Sequence, residues 1–235
     1  HNLWLNTAAL ARAGITRDTP DPVGGQIERD TDGTPTGILI ETAGALVQHL
    51  IEPSMAQMDL AARHLSASFH ALGLTGFKEP MAFDAELAAY AKADLAGALN
   101  LHVGAHLTRF SPFSEDWVSF ADLASLRATH QSPHLHTSFA KLFLDGVPIA
   151  RTAAFLDAYP GRDPSQHDPE AMLLIKPDRL NAEVTALDGA GFTVKMHAVG
   201  DRAVQAGLDA IATARKTNGP SGLRHEIAHA NFIAL

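Results

Sequence analysis

From Met55 onward the chain alternates amphipathic helices with short apolar runs, and this alternation restricts the fold more than any other feature. Helices are expected over 55–72, 84–99, 122–129, 177–190 and 202–217, interleaved with strands over 75–79, 101–107, 138–144, 192–196 and 223–230. Strict β–α alternation requires parallel strands joined by right-handed crossovers. Five such strands alone would leave two open edges, whereas a closed barrel needs eight. An open doubly wound sheet is the alternative, but no glycine-rich phosphate turn follows the first strand. The expected fold class is therefore α/β: an incomplete (β/α) TIM-type barrel with about five of its eight βα units.

Residues 1–54 have a different pattern and are read as an inserted helix and hairpin segment, ahead of a partial barrel over 55–235. His1 to Leu10 leads into a short helix that Gly14 ends, and a Pro/Gly loop covers 18–25. Gln26–Asp30 and Gly37–Glu41 then flank a hairpin turn at Asp32-Gly33. Asp30, Asp32 and Gly33 lack the spacing and closing Glu of a calcium-binding EF-hand, so the turn is the better reading. The chain opens at His1 inside structured sequence and stops at Leu235 inside an apolar run, as expected of an internal fragment.

The net charge of −8 and pI near 5.9 argue against nucleic acid or an anionic membrane as partner. With no cysteine, neither a disulfide framework nor a thiolate metal site is available. Any metal must be held by His, carboxylate or a modified side chain, and thirteen His are present. No run reaches the ~18 apolar residues of a membrane span. No signal peptide is visible, so a cytoplasmic location is expected. Open sheet edges point to a homo-oligomer.

Chemistry in parallel α/β folds sits at the carboxyl ends of strands. Phe192–Val204 places His197 at such an end, followed by a tight Gly turn and a helix whose first residue, Asp201, is positioned to cap backbone N–H groups. Lys141 and His229 stand at the ends of the neighbouring expected strands, so that all three would meet on one rim. A Lys in a barrel mouth is costly unless it is paired, neutral or modified. Either His alone reads as a hydrogen-bonded core residue; the three groups together favour a site.

The segments Lys141–Val147 with Arg151–Phe155, His197–Val204, and Arg224–Ala230 resemble the amidohydrolase superfamily, most closely amidohydrolase family 3 and its N-substituted formamide deformylase-like branch. His1–Leu10 and Gly24–Glu41 resemble that branch's inserted segment. The resemblance implies a barrel holding one or two divalent metals, usually zinc. Lys141, often carboxylated in this superfamily, His197 and His229 would be both metal ligands and catalytic residues. His1, Asp145 and Arg202 are expected at the substrate pocket. The implied activity is hydrolysis of a small amide or formamide by metal-activated water. The family's His-x-His pair and its catalytic Asp have no counterpart in the chain, so this piece on its own could be inactive.

Three further patterns compete. His134-Leu-His136 has the His-x-His form but precedes Lys141 by roughly 17 Å of strand at ~3.3 Å per residue, and is read as loop or barrel-floor. His225-Glu-Ile-Ala-His229 matches the zincin motif of a protease, which works only on a helix. Lys141 could instead be a Schiff-base nucleophile. Glu79 and His106, near the ends of their strands, are possible pocket residues, whereas His64 and His70 do not face each other on their helix. A non-catalytic fragment or metal-free binding domain is the remaining alternative.

Overall fold

The computed structural model describes residues 2–113 and 117–234. His1, expected at the substrate pocket, lies outside the described residues.

The first part is a three-stranded antiparallel sheet with the order β1-β3-β2, from β1 (Asn2–Trp4), β2 (Gly25–Arg29) and β3 (Pro35–Glu41). The hairpin turn forms where Asp32-Gly33 predicts it. Gly33 takes φ 87°, and the Thr34 N–H donates to the Asp32 carboxylate at 2.8 Å. Strand β1 was not expected: it pairs Asn2 with Ile40, far along the chain, so no turn signal marks it. Helix α1 (Thr7–Ala13) is capped by Asn6, whose side chain accepts from the Ala9 N–H. Ile15, Ile27, Leu39, Ala43 and Val47 close a small separate core, and the short helix α2 (Gln48–Ile51) follows.

Helix α3 (Met55–Ala71) opens with a reciprocal capping box between Ser54 and Gln57. Five strands then alternate strictly with four helices: β4 (Gly76–Ala82), α4 (Asp84–Leu95), β5 (His102–Thr108), α5 (Phe120–His130), β6 (Leu135–Phe143), α6 (Pro177–Gly189), β7 (Thr193–Ala198), α7 (Asp201–Asn218) and β8 (Glu226–His229). The five strands pair in parallel in chain order, curled as half of a TIM-type barrel. The main core lies between the sheet and its helices. Leu107, Leu142 and Met196 from the strands, with Leu144 just after β6, meet Leu180, Val184, Leu187 and Ala210 from the helices.

The expected strand after α7 removes one alternative, and one expectation is corrected. Residues 226–229 form a strand paired with β7, so the two His of His225-Glu-Ile-Ala-His229 cannot share a helix face and the zincin reading is lost. The His225 ring is wholly buried and donates through Nε2 to Asp188 at 2.9 Å, while its Nδ1 accepts the Val194 N–H. Asp201 does not cap α7 with its side chain; its carboxylate accepts the Leu156 N–H from the long β6–α6 loop. Among the described residues, no helix is long and apolar enough to cross a membrane.

Candidate metal centre

Lys141, His197 and His229 occupy the carboxyl-terminal portions of β6, β7 and β8, three neighbouring strands. Register fixes their relation. Phe143 pairs with His197, and Ala198 pairs with His229, so the sites climb the rim together. The rings of His197 and His229 are 4.6 Å apart at their centroids and nearly perpendicular. His229 and Ala230 take φ of 74° and 45°, a left-handed excursion that costs roughly 1–3 kcal/mol per residue and turns the chain off the strand.

His197 is held in place. Its Nε2–H donates to the Gly146 carbonyl at 3.0 Å, and the Asp145 carboxylate lies 3.5 Å away. In that tautomer Nδ1 carries the lone pair, the arrangement by which a backbone carbonyl orients a ligating imidazole. Burial pushes the His197 pKa down to about 4, with the neighbouring His229 and Lys141 adding to the shift against the Gly146 hydrogen bond. His229 is lowered by burial and by Lys141 and Lys195. Both rings are therefore neutral near neutral pH, as a ligand must be.

Lys141 is 3% exposed and makes no ion pair among the described residues; its amine lies 4.5 Å from the centre of the Phe143 ring. Burial, assisted by Lys195 on the next strand, lowers its pKa to about 8. A buried amine of this kind is readily neutral and nucleophilic.

Asp145, expected at the substrate pocket, is fully buried and stitches loops together. It accepts from the N–H groups of Ala154, Val199 and Gly200 at 2.9–3.0 Å. Burial raises its pKa to about 6 although those hydrogen bonds pull downward. Arg202 is paired with Glu170 in the β6–α6 loop and also reaches Gln205. Glu79 accepts the Met81 N–H, and burial raises its pKa. His106 donates from Nδ1 to the Glu79 carbonyl at 3.0 Å, and its buried Nε2 has no hydrogen-bond partner among the described residues.

Other residues shape the centre without having stood out in the sequence. Lys195 and Glu226 pair at 3.0 Å, and Lys78 binds the same carboxylate, placing an ion network beside Lys141, whose register partner is Lys195. Strand alternation was the available signal, since Lys195 and His197 must share a face. An open cavity of about 1090 Å³ is lined by Lys141, His197, His229, Met81, Phe143 and Phe232 among others. Among the described residues, no three His, Asp or Glu are grouped to hold a metal; the rim set reaches three donors only with Lys141.

Comparison with known proteins follows the same lines. The sequence profile described as "Amidohydrolase family" matches residues 1–234. N-substituted formamide deformylase of Arthrobacter pascens is 31% identical over 251 residues, covering 100% of this chain and 43% of that protein. Exoenzymes regulatory protein AepA of Pectobacterium carotovorum subsp. carotovorum is 30% identical over 236 residues, covering 97% and 48%. The chain thus spans less than half the length of these relatives. A crystal structure titled as a metal-dependent hydrolase from Pyrococcus furiosus superposes with a TM-score of 0.61 at 22% identity, over 92% of this chain and 42% of that one, which supports the fold.

Proposed function

The chain belongs to the amidohydrolase family, and from that premise we propose that it forms part of a metal-dependent hydrolase cleaving C–N bonds of small amides or formamides. The observation that carries the reading is the placement of Lys141, His197 and His229 on three neighbouring strand ends. The donor set fits a divalent metal, zinc foremost. Two neutral imidazoles are borderline ligands, one is oriented from behind by the Gly146 carbonyl, and the buried Lys141 makes no ion pair among the described residues. When bound, the metal supplies a water acidified toward a pKa of ~7.

The chain's own residues have distinct tasks. The neutral Lys141 amine can attack CO2 and lose a proton, becoming a carbamate that offers oxygen donors. Asp145 holds the loops after β6 and β7 so that His197 keeps its orientation. Phe143, Met81 and Phe232 give the cavity apolar walls that exclude bulk water around a small substrate.

The test is a full-length protein loaded with zinc and assayed for amine release from N-substituted formamides and simple amides. Activity lost on chelation and in His197→Asn supports the reading; hydrolysis indifferent to chelator contradicts it. A Schiff-base reading of Lys141 is favoured by the same buried, pKa-lowered amine. Borohydride trapping of a carbonyl compound on Lys141 would support it.

A further inference from the structure

At the end of the sheet opposite the rim, three imidazoles gather where β5 and β6 begin. The near-parallel rings of His102 and His136 lie 5.7 Å apart at their centroids, and the His134 ring lies 5.2 Å from that of His102. His102 and His136 are both exposed, and His102 Nδ1 faces His136 Nε2 at 3.4 Å. That separation exceeds the ~2.7–3.2 Å of ordinary N–H···O hydrogen bonds, so any bond between the two rings is a weak one. It equals the spacing of two nitrogens on one tetrahedral ion, ~3.4 Å for bonds of ~2.0–2.1 Å.

A second observation points the same way. His134 donates from Nδ1 to Asp94 at 2.6 Å, and the Asp94 side chain is 2% exposed and further fixed by Ser132 and the His134 N–H. A buried carboxylate behind an imidazole is the arrangement that orients histidine ligands, here turning Nε2 of His134 outward. As placed, two nitrogens converge and the third does not.

We propose that His102 and His136 chelate a borderline divalent cation such as Zn2+, Ni2+ or Cu2+ at the barrel floor, with water completing the shell and His134 beside it. The site is independent of the rim, because its residues lie on the other end of β5 and β6. It selects nitrogen-preferring metals over Mg2+ or Ca2+, since the two groups that face each other there are ring nitrogens.

The test is titration of the protein with Cu2+ and Zn2+, read by calorimetry and by Cu2+ electron paramagnetic resonance. It compares the unaltered protein with His102→Gln, His136→Gln and the rim variant His197→Asn. Each floor variant, at an exposed position, is expected to weaken one class of binding by more than the ~10–100-fold that loss of a supporting residue costs. His197→Asn leaves that class intact, so failure of the rim hypothesis and failure of this one read out separately. Unchanged stoichiometry and nitrogen hyperfine pattern in both floor variants would overturn the proposal, leaving the two rings as a hydrogen-bonded pair only.

Discussion

His197 and His229 face each other edge to face across the β7–β8 seam, their ring centroids 4.6 Å apart. The contact joins a ring tied by Nε2 to the Gly146 carbonyl with a ring on a residue at positive φ. Both strand ends must hold for the pair to survive, which makes the supports behind them the natural places to probe.

The support behind β8 is Asp188. Its buried carboxylate accepts from Ser221 at 2.6 Å, Asn218 at 2.8 Å and His225 at 2.9 Å, and pairs with Arg215. Asp188→Ala strands several of these donors, and a stability loss of ~3 kcal/mol or more is expected in urea denaturation. Asp188→Asn, which keeps an acceptor, should lose less.

Gly200 supports the turn after β7 for a reason other than its dihedral angles, which are ordinary at φ −77° and ψ 155°. A Cβ there would lie 2.0 Å from the Ala154 carbonyl oxygen, a backbone atom that cannot swing away. Gly200→Ala should cost ~3 kcal/mol or more and disturb the Asp145-bound loop, measured by denaturation and by amide exchange at Val199 and Gly200.

Acid should destabilise the metal-free protein through its buried imidazoles. His106 and His197 are both lowered to about 4, chiefly by burial, against ~6.5 in the unfolded chain. The unfolded state therefore binds more protons between those values. Stability is full above pH ~6.5 and falls as pH drops toward 4, by about 3 kcal/mol for each ring. Unfolding free energy measured across that window should show the slope, and His106→Gln should flatten it.

Lys195 should control the state of Lys141. Removing the neighbouring charge in Lys195→Met is expected to raise the Lys141 pKa from about 8, with burial still holding it below an ordinary lysine. The pH dependence of acylation at Lys141 reads this directly; an unchanged midpoint would assign the whole shift to burial.

Much of this arrangement is legible in the sequence because two periodicities and one topological rule suffice. Strands β4 to β8 follow from apolar runs between amphipathic helices, and parallel alternation then puts Lys141, His197 and His229 near strand ends on the same side. What the sequence hides is pairing at a distance. Strand β1 needs Ile38–Ile40, Asp188 needs His225, and Asp201 serves Leu156 rather than its own helix. Strand β6 starts at Leu135, three residues before its expected first residue, because its amino end pairs with Val103 and Gly104. That extension is what sets His136 beside His102.

The most direct test of the rim is an anomalous-scattering map of zinc-loaded crystals of the full-length protein. The account predicts a peak ~2.0–2.1 Å from one ring nitrogen of each of His197 and His229, and ~2.0–2.2 Å from an oxygen carried on the Lys141 amine. A loaded crystal with no peak between those three side chains would contradict it.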